Sequence, residues 1–407
     1  MALDQVLVLT LFVGVYVLFA TRLLPPALAA VFGALVLALW NGLAFVLPSV
    51  VASVLIASAG LMVMAGFVKR SGWAAWLALK TIKLTQGRPW GILVLTGFIS
   101  FVSGAFWGPL AAVILVAPVA LLLAAELDIA PVPFVVILTW SALLGGVTVL
   151  TAQPSNLWIG AALGIDAGQW VRSVAPFTVA AFAVTLVTGA LLFRKDLRAT
   201  NERRARILEF DASKSLGDRP LVVKTAVVVL AVLGFLILSP WLALSPSVVL
   251  ATGGLVLALW NRRTPLDKVL SDIDGATLLF YGGLFVVIGS LGVSGLPAAL
   301  AQIWSPQPVT VLWAAALLGV FVDPGAVSGA GIPLLQGWAR QGASLWPFLA
   351  IGAAIGGGVA VWGAVPKAAL ELAGTSRKAS GWRFVAYGAV FAVVNLAAVS
   401  LVSLWVR

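Results

Sequence analysis

Apolar residues fill almost every window of this chain, so the informative positions are the few where polar residues, glycine and proline break the runs. Runs of roughly 15–25 apolar residues read as helices long enough to cross a bilayer core. Simple spans of this kind are Val6 to Ala20, Ala27 to Leu47, Val50 to Val68, Trp170 to Phe193, Leu221 to Leu238, Ser245 to Trp260, Ala276 to Val293 and Trp382 to Trp405. Met1 to Gln5 carries Asp4 and no basic residue, so the first run reads as a retained span and not as a signal peptide. Ser71 to Leu84 places Trp73, Trp76, Leu77 and Leu84 among Lys80 and Lys83, which predicts an amphipathic helix lying at the interface.

Four segments are apolar but interrupted. Residues 90–125 are too long for one span and are cut at Phe106-Trp107-Gly108-Pro109, and residues 309–338 are cut at Phe321-Val322-Asp323-Pro324. Each predicts a re-entrant hairpin of two antiparallel half-helices. Residues 131–163 hold Gly145 to Asn156, read Gly-Gly-Val-Thr-Val-Leu-Thr-Ala-Gln-Pro-Ser-Asn, and residues 345–372 hold Gly356 to Lys367, read Gly-Gly-Gly-Val-Ala-Val-Trp-Gly-Ala-Val-Pro-Lys. Glycines loosen a helix and proline removes a backbone donor, so each predicts a broken helix. Backbone freed at membrane depth is tolerated only where protein or a polar cavity receives it, which makes both breaks candidate ion or substrate sites.

The two halves repeat. Leu35 to Asn41 and Leu255 to Asn261 are identical, an offset of 220. Ser71-Gly72 with Ser294-Gly295, Pro109 with Pro324, Pro118 with Pro333 and Trp170 with Trp382 keep the same order. The domain reading is therefore repeat 1 at 1–193, a basic linker at 194–220 and repeat 2 at 221–407. The fold class that follows is an all-α polytopic membrane protein of two inverted repeats, each with five transmembrane spans, one re-entrant hairpin and one broken helix. An odd number of spans per repeat forces the inversion, an arrangement that secondary transporters use.

Composition and charge agree. The chain is 62% hydrophobic and 10% charged, which excludes a soluble domain and lacks the short alternating segments of a transmembrane barrel. It has no cysteine and no histidine, so disulfides, thiolate metal sites and histidine relays are excluded. If both termini face out, 21 of the 25 Lys and Arg fall on the inner side, nine of them between Arg194 and Lys224. Among the others on that side are Arg22, Lys69, Arg70, Arg377 and Lys378, whereas Arg172, Arg340 and Arg407 lie outside and Lys367 stays within a span. This positive-inside bias accounts for the net charge of +11 without a nucleic-acid partner. It predicts a prokaryotic inner membrane protein with extracytoplasmic termini, in contact with lipid.

Candidate chemistry sits at the interruptions. Asp323 is an ionisable group at the second hairpin tip, and Lys367 follows Pro366 directly after the second break. Thr148, Thr151, Gln153, Ser155 and Asn156 are neutral oxygen and amide groups suited either to Na⁺ or a small oxyanion or to capping the broken helix. Gly108 and Gly357 mark the first tip and the second break. A Na⁺ at Asn156 and Asp323 is the alternative ligand set. The 17 tryptophans read mostly as interfacial belt residues, with Trp107 and Trp362 beside the interruptions. No cofactor is called for, and no acid–base pair suggests an enzyme.

Gly104 to Val119 (GAFWGPLAAVILVAPV), Gly145 to Asn156 and Gly356 to Lys367 resemble the hairpin and broken-helix motifs of the ArsB/NhaD permeases. These belong to the ion transporter superfamily, which also holds divalent-anion and citrate carriers. The resemblance covers nearly the whole chain. It implies a scaffold part and a moving transport part, an elevator-like alternating-access motion, a homodimer, and a site formed by hairpin tips and helix breaks. The chain departs from the pattern where the family carries Asp-Asn at the first tip, Gly-Asp-Pro-Pro-Asn at the first break and Ala-Asn at the second. Here Gly108-Pro109, Ala152-Gln153-Pro154-Ser155-Asn156 and Pro366-Lys367 stand in those places, which speaks against Na⁺ coupling. The expected function is secondary active transport of a small inorganic ion or oxyacid, an anion permease of the arsenite type, with H⁺ as a further partner. The alternatives are a Na⁺/H⁺ antiporter working through Asp323 and a degenerate membrane scaffold that transports nothing.

Overall fold

The computed structural model describes residues 3–21, 23–40, 49–209, 216–242, 244–293, 299, 306–339, 344–359, 363–374 and 379–405. Of the positions singled out above, Arg22, Asn41, Ser294, Gly295, Arg340, Trp362, Arg377, Lys378 and Arg407 lie outside them. Among the described residues the fold is helical, with no strand. The first half runs α1 (Leu3–Thr21), α2 (Pro26–Trp40), α3 (Ser49–Ser71), α4 (Trp73–Thr85), α5 (Pro89–Trp107), α6 (Pro109–Glu126), α7 (Val132–Thr148), a 3₁₀ turn (Leu150–Ala152), α8 (Pro154–Leu163) and α9 (Ala167–Phe193). After α10 (Asn201–Leu208) come α11 (Arg219–Leu242), α12 (Pro246–Trp260), α13 (Leu266–Leu270) and α14 (Gly275–Val293). The chain then forms α15 (Pro308–Phe321), α16 (Pro324–Ala339), α17 (Trp346–Gly357), α18 (Ala364–Leu372) and α19 (Ala379–Trp405).

Among the described residues six helices are long and apolar enough to cross a membrane, and seven more apolar helices of 10–17 residues accompany them. This is an integral membrane protein by its helices, as composition requires. Several helices open on proline, α5, α6, α8, α12, α15 and α16 among them, because its missing N–H costs nothing in a first turn.

The centre of the molecule is α7 and α17, which touch each other. Every residue from Pro133 to Thr148 and from Trp346 to Gly357 is buried. Helix α5 packs most extensively on α7, and α15 on α17. Outer helices such as α11 expose Leu230 and Ile237, as a lipid-facing surface would.

The same backbone approaches recur in both halves, 211–223 residues apart. Gly104 faces Ala142 as Gly319 faces Ala353, and Gly146 faces Pro109 as Gly357 faces Pro324. Between halves the approaches are reciprocal. Gly60 on α3 meets Leu250 and Ala251 on α12, while Gly283 on α14 meets Ala30 and Val31 on α2. In each of these places an added Cβ would meet backbone or a proline ring, so the crossings are as close as small residues allow.

The basic stretch is not featureless. Thr200 caps α10 by accepting the Arg203 N–H, and Ile207 is fully buried. Arg203 pairs with Asp128 after α6, while Arg204 donates to Gln86 O just before α5 at 3.3 Å. The outer ends of α5 and α6 therefore lie on one side, under the linker. A second tie runs from Gly217 N–H to Ser71 O at 2.9 Å.

Among the described residues five tryptophans lie inside, while Trp40, Trp90, Trp260, Trp313, Trp382 and Trp405 are exposed. Trp140, Trp158, Trp170, Trp338 and Trp346 are buried, Trp140 and Trp170 fully. With so much aromatic area available, the chain uses indoles to fill the core around both breaks.

Candidate functional site

Helix α7 ends at Thr148 because Val149 turns extended, and after one 3₁₀ turn Gln153 is extended again before α8 starts at Pro154. An interruption of this kind frees the last carbonyls of one helix and the first N–H groups of the next. The carbonyls are taken up by the protein itself. Asn156 Nδ2 donates to Gly146 O (2.9 Å) and Val149 O (3.0 Å), and the indole of Trp170 donates to Val147 O (3.0 Å). Asn156 Oδ1 in turn accepts from Gln153 Nε2 at 3.1 Å. Thr148 Oγ1 donates to Leu144 O at 2.7 Å and lies 2.8 Å from Thr178 Oγ1. Oxygen atoms that would ligate a cation are thus largely spent.

The N–H ends are left over. No side chain caps α8, whose N-cap is Gln153, or α6, whose N-cap is Gly108. The start of α6 lies beside the 3₁₀ turn that precedes α8, for Gly108 stands against Ala152 O with no room for a Cβ. Gly108 also adopts φ 84°, which a side chain would strain. Beside this junction Thr151 and Ser155 are buried, at 4% and 3% exposure, and among the described residues neither hydroxyl has a hydrogen-bond partner. Each uncapped N-terminus carries partial positive charge and backbone donors beyond its first proline, close to where Ala152 O approaches Gly108. The predicted residues Gly108, Thr148, Thr151, Gln153, Ser155 and Asn156 are therefore gathered at the first break, some as seals and some as free polar groups.

The second break is built differently. Residues 360–362 fall outside the described residues, and α17 ends at Gly357, which packs on Pro324 at the second tip. Asp323 caps α16, its Oδ1 accepting the Gly325 N–H at 2.8 Å. A carboxylate already occupies this helix start. Lys367 stands at the register of Asn156, but among the described residues it seals no carbonyl; its side chain is 56% exposed and sits 3.9 Å from Glu371. This helical i,i+4 pair forms because α18 turns its Lys367–Glu371 face outward and buries Pro366 and Ala369. Trp382, at the register of Trp170, is 77% exposed. Asn156 at the first break and Asp323 at the second tip, the alternative Na⁺ ligands, each accept an internal donor.

Sequence reasoning passed over three residues at these sites. Trp170 served only as a repeat anchor, yet it seals the first break. Tyr16 and Tyr281 surround the second tip, the former donating to Ala326 O at 2.6 Å and the latter lying against Gly325. Their signal was rarity, since the chain holds only three tyrosines.

Comparison with known proteins bears on this arrangement. The chain is 26% identical to the uncharacterized transporter Rv2684 of Mycobacterium tuberculosis, over 99% of this chain and 98% of that one. It is 27% identical to the 46 kDa membrane protein of Mycobacterium leprae, over 85% and 84% of the two chains. It is also 26% identical to the magnetosome protein MamN of Paramagnetospirillum magneticum, over 75% and 72%. The family model described as citrate transporter (CitMHS) matches residues 16–356. Matched over most of its length, and built of helices fit to cross a membrane, the chain is a membrane transporter that belongs to the citrate transporter family.

Proposed function

We propose that this transporter carries a small anion of the citrate class, a carboxylate, through a site at the first helix break. The observation that carries the reading is the division of labour at that break. Carbonyl oxygens are taken up by Asn156 and Trp170, whereas the N-terminal ends of α6 and α8 carry no side-chain cap, with Gly108 against Ala152 O and beside it the hydroxyls of Thr151 and Ser155, which have no partner among the described residues. Such a site favours a negatively charged oxygen over a cation. The matched approaches in the two halves support a pair of repeats with α5–α6 and α15–α16 as hairpins; their inversion, an elevator-like motion and, from the positive-inside bias, extracytoplasmic termini belong to the same reading. A homodimer and H⁺ coupling belong to the same reading. Arsenite, uncharged in neutral water, gains less from helix dipoles than a carboxylate does. A Na⁺/H⁺ antiport site at Asp323 is less favoured, because that carboxylate serves as a helix cap.

Uptake of labelled citrate and of arsenite into proteoliposomes decides among these. Citrate uptake that persists when Na⁺ is replaced by choline at fixed pH is the expected result. Arsenite uptake without citrate uptake, or strict dependence on Na⁺, would overturn the carboxylate assignment.

A further inference from the structure

The second hairpin tip is held by one tyrosine from each half. Tyr16, midway along α1, donates its hydroxyl to Ala326 O in the first turn of α16 at 2.6 Å, across 310 residues of chain. Tyr281 on α14 packs against Gly325 so closely that a Cβ there would overlap its ring. Aromatic contacts continue on both sides of this grip. Phe12 and Phe19 flank Tyr16 at 4.5 and 5.4 Å, Phe19 meets Phe280 at 5.4 Å, and Tyr281 meets Phe285 at 5.5 Å. Phe285 then contacts Trp158 of α8, edge to face at 3.5 Å. The tip thus rests in an aromatic cradle that reaches from α1 and α14 to the helix following the first break.

Among the described residues the first tip has no such cradle. By the register of the matched contacts, in which Gly33 meets Val15 and Val287 as Gly253 meets Val232 and Met64, Leu233 stands where Tyr16 does. By the Gly60 and Gly283 pairing, Ser58 stands where Tyr281 does, and its hydroxyl turns back to Val54 O. The first tip, Gly108-Pro109, meets Ala152 and Gly146 instead. One tip is therefore tied to the outer helices by a hydrogen bond and the other is not.

We propose that the Tyr16 hydroxyl is a one-sided latch, a positioning residue that holds the second tip, Asp323 to Ala326, against α1 and α14. Transport that moves this tip must break the Tyr16–Ala326 bond, and among the described residues no equivalent bond holds the first tip. The latch goes beyond the choice of substrate and needs only that the tip moves. A hydrogen bond of this kind contributes about 0.5–1.5 kcal/mol net, roughly a two- to twelvefold bias between held and released states.

Because the chain has no cysteine, Ser328→Cys places a single thiol, 4% exposed in the native residue, one helical step beyond the latch. Its labelling by a small thiol reagent should quicken two- to twelvefold when Tyr16→Phe is added, a change that keeps the ring among Phe12 and Phe19. Tyr387→Phe, at the distant Phe193 contact, should leave the rate unchanged. Hydrogen exchange should rise only over residues 322–332, which separates release of the tip from general loosening. Equal labelling rates with and without the Tyr16 hydroxyl, or an exchange rise spread over the whole chain, would overturn the latch. Citrate uptake is measured in parallel: its absence in the native protein would sink the transport reading, while the labelling rate still decides the latch.

Discussion

Asn156 shows how one side chain can look like a ligand in sequence and act as a seal in the fold. Its type and its place after Gln153-Pro154-Ser155 were legible, but its partners were not, because Gly146 O and Val149 O become available only once α7 stops at Thr148. Asn156→Ala should leave two buried carbonyls short of donors and cost about 2–3 kcal/mol, read as a lower melting temperature in detergent. Thr151→Ala and Ser155→Ala should behave in the opposite way. Their hydroxyls hold nothing in the protein, so thermal stability should stay near native while the apparent affinity for citrate falls severalfold. Equal losses of stability in all three would show that the whole break is structural. The same contrast explains Lys367, whose residue type suggested buried chemistry and whose side chain instead meets Glu371 at an exposed helix face. Sequence spacing placed it one residue past Pro366, but only the orientation of α18 decides which way it points.

At the level of elements, the interruptions were the most legible part of the chain. Proline next to glycine marks the restart of α6, and aspartate next to proline marks that of α16, since proline fits a first turn and nowhere deeper without loss. Less legible was how each tip is received. Gly146 and Gly357 are hidden among many glycines, yet each is the flat surface on which Pro109 or Pro324 rests. Gly146→Ala and Gly357→Ala should each force a proline ring aside and destabilise by about 1–3 kcal/mol, whereas Gly164→Ala, where nothing stands within 4 Å, should cost only the strain of its positive φ. Differential scanning fluorimetry of the three variants checks the order. Helix α10 was missed for a simple reason. Arginine-rich stretches read as solvated linkers, and the one capping residue, Thr200, carries little weight until Ile207 is seen to be buried.

At the scale of the molecule, repetition was visible in Leu35 to Asn41 and Leu255 to Asn261, but interlocking was not. Identical segments could have been two independent bundles side by side. They are not, because α2 is covered by α14 and α3 by α12, so each half completes the other at its closest crossings. A ribosome that has delivered only the first 209 residues has therefore made helices whose tightest partners do not yet exist. Such a chain, halted there, should be a substrate for membrane quality-control proteases, and residues 216–407 supplied as a separate polypeptide should rescue it from degradation. Pulse-chase of the halted fragment, alone and with its complement, measures this directly. A fragment that is equally long-lived without its complement would mean that the first half matures unaided. If the rescue holds, the basic linker is a tether that raises the local concentration of two mutually dependent pieces, and assembly of this carrier is closer to the joining of two subunits than to the stacking of successive helices.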